Sequence, residues 1–153
     1  MRISGNIVAL RLLEAGLGGL FFYVGLLKYL NPYEFAEAVQ AYQLLPGSLV
    51  GVVAAGLPWV EIAAGLALAF GLKRRSCLLL LAMLLVGFLM VIFITMARGL
   101  NIDCGCGLFF QRQVGWVPVL EDGLFLLWTA WLYWWECTLE NRTQRLFFPK
   151  TAI

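Results

Sequence analysis

No histidine occurs in this chain. Its absence removes the side chain that most readily shuttles protons near neutral pH, and with it the commonest metal ligand. Charge is scarce too. Only 13% of the 153 residues are charged, against about a quarter in a soluble globular domain. An ordinary soluble helical domain is thereby excluded. The net charge of +2 is too small to draw a nucleic acid. Cysteine is limited to Cys77, Cys104, Cys106 and Cys137. The apolar runs around them exclude a small secreted disulfide scaffold. No linker or low-complexity tail interrupts the chain, so residues 1–153 read as one domain.

What is abundant is apolar sequence: 62% of residues are hydrophobic and the mean hydropathy is +0.86. Four runs stand out, at about 7–30, 47–71, 76–97 and 115–135. Each exceeds the roughly 18–20 residues that cross about 30 Å of hydrocarbon as a helix. In lipid such runs must be helical, because the backbone finds no water to bond. The expected fold is all-α, an integral membrane four-helix transmembrane bundle. The first run is too long for a signal-peptide core and lacks a small-residue cleavage site, so it reads as a retained span. Short turns make sequential helices antiparallel neighbours. Small residues mark the expected close-packing faces: Ala15 and Gly19, Gly51 and Ala55, Gly65 and Ala69.

Orientation follows from Lys and Arg beside the spans. Arg2, Lys73, Arg74, Arg75, Arg142, Arg145 and Lys150 flank one side, and Lys28, Arg98 and Arg112 the other. The richer side is expected in the cytoplasm with both termini. The 31–46 segment and the loop after the third span then face outward. The first, "NPYEFAEAVQAYQLLP", predicts a short interfacial helix. Asn31 is placed to cap it, Pro32 to start it, Glu34 to complete a capping box and Pro46 to end it. It is either a connector or a lid over the second loop.

That loop reads "NIDCGCGLFF" from Asn101 to Phe110. Cys104 and Cys106, one residue apart, can close only a small ring, with Gly105 supplying the unusual backbone angles. A ring this small restrains the unfolded chain little, and strained exposed disulfides exchange readily. Redox exchange is one reading. Capture of a soft metal ion by Cys104 and Cys106 is another, although two thiolates underfill a zinc site. An inert structural pair is the third. Lys28, Arg98, Asp103, Glu121 and Asp122 fall at the same membrane level and are candidates to assist the thiols. Cations favour the thiolate, and an acid can carry the proton. Alternatively, Lys28 and Arg98 are interfacial anchors paired with Glu121 or Asp122.

Glu61 lies about midway along the second span, where an acid is costly and needs a partner. Arg11 is the expected partner, in a plain ion pair or a proton path. Glu61, Arg11 and the adjacent Trp59 could also contact a bound quinone head group. Cys77 and Cys137 sit near the cytoplasmic ends and read as small hydrophobes. Trp116, Trp128, Trp131, Trp134 and Trp135 suit an aromatic belt or a quinone wall.

Over nearly its whole length the chain resembles the MauE/DoxX family of four-span membrane proteins. The resemblance rests on "GLLKYLNPYEFAEAVQAYQLLP" (25–46), "PWVEIAAGLALAFG" (58–71) and "RGLNIDCGCG" (98–107). The family often continues "CGCFG" where this chain reads "CGCGLFF". The resemblance implies a redox-associated role beside a thioredoxin-like partner in maturing periplasmic enzymes, or, for DoxX-type relatives, an association with thiosulfate:quinone oxidoreduction. It also implies that Cys104 and Cys106 are the redox pair. The expected function is thiol–disulfide exchange between an external thiol pair, presented by a periplasmic thioredoxin-fold partner, and ubiquinone or menaquinone. A soft-metal carrier and a non-catalytic assembly factor are the alternatives.

Overall fold

A computed structural model of the chain describes residues 2–100 and 115–147, with side chains from 7 to 100 and from 115 to 139. Five helices run in order: α1 (Arg2–Leu30), α2 (Pro32–Ala41), α3 (Gly47–Ala69), α4 (Arg74–Ala97) and α5 (Trp116–Phe147). Three stretches are long and apolar enough to cross a membrane: Ile7–Leu30, Gly47–Ala69 and Arg74–Ala97. Their exposed surfaces carry Leu12, Tyr23, Val52, Met83 and Met90. These side chains would be stranded in water and are at ease against lipid tails. Thr95 and Thr129, both fully buried, bond their hydroxyls to the carbonyls of Val91 and Phe125 one turn back. That local bond lets a hydroxyl sit in apolar surroundings.

Two antiparallel pairs make up the bundle. α1 packs along α3, and α4 along α5. The first pair is the closer, because glycines meet at its contact. A Cβ placed on Gly18 would lie 2.6 Å from the Gly65 carbonyl oxygen, and one on Gly65 would lie 2.6 Å from that of Gly18. Without a lipid-phase hydrophobic drive between helices, such backbone proximity is what holds them. Of the expected small-residue faces, Gly65 and Ala69 are confirmed, but their partners are Gly18 and Phe22. Gly19 and Gly51 meet nothing within 4 Å. Spacing identified small-residue stripes but could not say which one faced a neighbour.

The two pairs close on an apolar core of Leu10, Leu17, Phe21, Ala64, Leu68, Cys77, Leu78, Leu81, Leu85 and Leu132. This core fills the half of the bundle nearer the α3–α4 turn. The turn itself uses Gly71 at φ 73° and Lys73 at φ 40°. A side chain on Gly71 would run into the Arg74 guanidinium. At the other end, Tyr42 and Ile92 pack with Phe88, Val91, Met96 and Val119, docking the α2–α3 corner on α4 and α5.

The short helix forms where expected, with Pro32 in its first turn, but its ends differ. Asn31 occupies the N-cap without a side-chain capping bond. The helix stops at Ala41, because the chain turns at Gln43 with φ 51°. Pro46 is instead the N-cap of α3. The last helix runs on past 135 to Phe147, since polar residues after Trp135 are good helix formers once outside an apolar run.

A Cβ at Gly18 has backbone in its way and one at Gly19 has open space. Gly18→Ala should therefore destabilise the protein by about 1–3 kcal/mol, the range for overpacking, while Gly19→Ala is neutral. Thermal unfolding of both variants in lipid nanodiscs checks this pair.

Candidate functional site

The polar centre of the bundle arises from helix direction. Side chains lean toward the N-terminus of their own helix. α1 and α3 are antiparallel, so Lys28 on α1 and Glu61 on α3 lean toward one another across the close contact. Their charged atoms meet, with Lys28 Nζ 2.6 Å from Glu61 Oε1. The side chains are 12% and 8% exposed, so the pair is largely shielded from water. Pro58, one turn before Glu61 and buried, has no N–H to give the Ala54 carbonyl, which loosens the ladder beside the acid. α2 covers the pair: the Phe35 ring lies 5.2 Å below or above Lys28 Nζ, within cation–π range.

α5 adds a second acid. Asp122 is 9% exposed and lies within electrostatic reach of Lys28. Lys28, Glu61 and Asp122 line one cavity of about 90 Å³, whose apolar walls include Phe21, Leu85 and Phe88. Glu61 Oε2 and Asp122 Oδ2 are buried there with no hydrogen-bond partner. The cavity lies at the seam between the two helix pairs, with lining from all four long helices.

Several expectations are corrected here. Arg11 does not approach Glu61. It bonds Glu14 at 2.8 Å and also Glu136, while Arg74 reaches Glu14 at 3.2 Å. These four residues tie α1, α4 and α5 together at the end opposite α2. Antiparallel packing carries Arg11 to that end, well away from Glu61, and places Lys28 beside Glu61 instead. Lys28 is thus not an anchor paired with Glu121 or Asp122, although Asp122 shares its cavity. Arg98 donates to the Tyr42 and Gln43 carbonyls at 3.2 and 3.3 Å, which pins the α2–α3 corner to the end of α4. Burial pushes the Tyr42 phenol in this corner up to about 12, so it stays neutral. Glu121 is half-buried and is not among the cavity-lining residues. Trp59 is 57% exposed and meets Tyr29 edge-on at 5.1 Å, so it faces outward, away from the cavity.

Trp116, Trp131 and Trp134 are exposed, while Trp128 and Trp135 pack against the core. Cys77 is buried in the apolar core, as a small hydrophobe would be. Its thiol donates to the Leu72 carbonyl at 3.4 Å. Glu136, which sequence reasoning passed over, could have been found as the acid that directly follows the Trp131–Trp135 run. Asp103, Cys104 and Cys106 lie outside the described residues, as does Arg112. The segment bearing them joins Leu100, after α4, to Gly115, before α5, so both its attachments are at the α2 end. Among the described residues, no group of three or more Cys, Asp or Glu is placed to hold a metal ion.

The family model described as methylamine utilisation protein MauE matches residues 6–135. The chain belongs to the MauE family. A similar protein is the methylamine utilization protein MauE of Methylophilus methylotrophus, 39% identical over 74 residues. That alignment covers 48% of this chain and 39% of the relative. No solved structure matches. This MauE-family chain is thus a membrane protein whose charged side chains collect in a buried group at the α2 end and a part-buried group at the other, on either side of an apolar core.

Removing one partner of a buried ion pair leaves the other uncompensated. Lys28→Met should cost roughly 3 kcal/mol, and the double change Lys28→Met/Glu61→Leu should recover most of it. Thermal unfolding of the two variants in nanodiscs measures that recovery.

Proposed function

We propose that this chain is a multi-pass membrane component of thiol–disulfide exchange, acting at the α2 end of its bundle. The fourth crossing is α5. Its acids lower its hydropathy, yet Asp122 and Glu136 turn inward to the cavity and to Arg11. Four crossings place both termini on one side, and the excess of Lys and Arg there assigns that side to the cytoplasm. α2 then lies at the outer lipid–water boundary, with Cys104 and Cys106 on the outer face, where disulfides persist.

The observation that carries this reading is the buried Lys28–Glu61–Asp122 group at the end to which the Cys-Gly-Cys segment is joined. Ionisable residues at membrane depth are costly, and they mark functional sites. Membership of the MauE family supports it. The relative's name ties that protein to methylamine utilisation, and service to a periplasmic enzyme of such a pathway is part of this proposal.

The chemistry balances simply. A partner thiolate attacks one sulfur of the Cys104–Cys106 disulfide and forms a mixed disulfide. The partner's second thiol then displaces it. The partner leaves as a disulfide, and its two electrons and two protons reside on Cys104 and Cys106 as thiols. The reverse sequence oxidises the pair. Arg98 places positive charge at this end, which favours the thiolate form. A thioredoxin-fold protein of the periplasm has the required thiol pair and is the proposed partner.

The cavity suits a small ligand better than a quinone ring. At about 90 Å³ it is well below the roughly 300 Å³ of small-molecule pockets. Ubiquinone or menaquinone, as the proposed two-electron acceptor, would meet the lipid-facing surface instead.

The test is thiol trapping with a mass-adding maleimide. Purified protein in nanodiscs is poised at a series of potentials, then mixed with a reduced thioredoxin-fold protein, with and without a quinone analogue. Cys104 and Cys106 should change together as one two-electron couple, and Cys104→Ser, mixed instead with the oxidised thioredoxin-fold protein, should form a mixed disulfide through attack of Cys106 on the partner's disulfide. Thiols that stay reduced under oxidant, or that only a bound metal protects, would overturn the reading.

A further inference from the structure

The two polar groups differ in charge balance. At the end opposite α2, two acids (Glu14 and Glu136) face two cations (Arg11 and Arg74). In the cavity, two acids (Glu61 and Asp122) face one cation, Lys28. Among the described residues, no other titratable side chain lines that cavity: α4 contributes Leu84, Leu85 and Phe88. α2 presents Phe35 to Lys28 while its own acids Glu34 and Glu37 are exposed. On α5, Glu121 is half-buried beside Asp122 and engages a partner. One negative charge is therefore left over in an apolar enclosure, on groups more than nine-tenths buried, with Glu61 Oε2 and Asp122 Oδ2 unpartnered. An uncompensated charge in such surroundings does not persist; it is neutralised.

We propose that the cavity is a proton-binding site, holding one proton shared between the carboxyls of Asp122 and Glu61 while Lys28 remains charged. The space suits this ligand. A volume of about 90 Å³ takes about three waters at roughly 30 Å³ each, and water can bridge the two free carboxyl oxygens. The apolar core bars access from the end opposite α2. Below the cavity the core closes with Leu17, Leu68, Leu78, Leu81 and Leu132, each at most 1% exposed. The proton thus enters and leaves on the side where the thiol segment is attached, and does not pass through the bundle. The site stands on charge and geometry alone, so it holds whether or not Cys104 and Cys106 exchange disulfides.

Infrared difference spectroscopy in nanodiscs reads the carbonyl stretch of a protonated carboxylic acid and its shift in D2O. The wild-type protein should show one such buried carboxyl at neutral pH, and so should the Cys104→Ser/Cys106→Ser variant. Asp122→Asn should lose it. If that variant does not fold, Glu61→Gln provides the same test, because Lys28 then balances the single remaining acid and the band disappears. Lys28→Met should show two protonated carboxyls. A wild-type protein without the band would overturn the proposal, as would a band that survives both Asp122→Asn and Glu61→Gln. A band seen only when sodium is withdrawn would show that a metal cation, not a proton, supplies the charge.

Discussion

The backbone contact between Gly18 and Gly65 is the constraint on which the polar centre depends. It brings α1 and α3 closer than side chains would allow and fixes their antiparallel register. That register decides which charged residues share a level. It gives Lys28 to Glu61 and sends Arg11 to the opposite end, where Glu14, Arg74 and Glu136 receive it. A slip of one helical turn would move Lys28 about 5.4 Å along the helix and leave Glu61 buried without its cation. The glycines therefore act on the chemistry at a distance, through the register they enforce.

The same register explains why the two ends behave differently. The end opposite α2 has matched charges spread over three helices, which suits a fixed clasp. The α2 end has an odd number of charges around a small cavity at the seam of the two helix pairs. Between them lies an apolar layer with little room for water. The molecule is thus built as a rigid lower half and a polar upper half. α2 closes the upper half through Phe35 over Lys28, and the Arg98 bonds hold the Tyr42–Gln43 corner in place.

Much of this was legible in the sequence, and the failures share a cause. Run length and hydropathy placed the expected spans 7–30 and 47–71 within two residues of the apolar stretches Ile7–Leu30 and Gly47–Ala69. Pro32 marked the start of α2. The cost of a mid-span acid singled out Glu61, and Lys28 and Asp122 were flagged by their depth. What sequence could not supply was pairing, because pairing depends on the offset between helices. Arg11 was assigned to Glu61, and Gly19 was preferred to Gly18, since both choices turn on rotation and register that a single chain's pattern leaves free. Pro46 was read as a helix stop because a proline ends one helix and begins the next equally well. The Cys-Gly-Cys pair was conspicuous in sequence and lies outside the described residues, so its role rests on chemistry and family.

The account's central claim is that the thiol pair and the buried Lys28 group at the same end work together. The most direct measurement is the midpoint potential of the Cys104/Cys106 couple, across pH, in wild-type protein and in Lys28→Met. The account predicts a two-electron couple whose potential and pH dependence both change when Lys28 is lost. An identical titration in the two proteins would contradict it, leaving the buried group as structure and the cysteines as an independent feature.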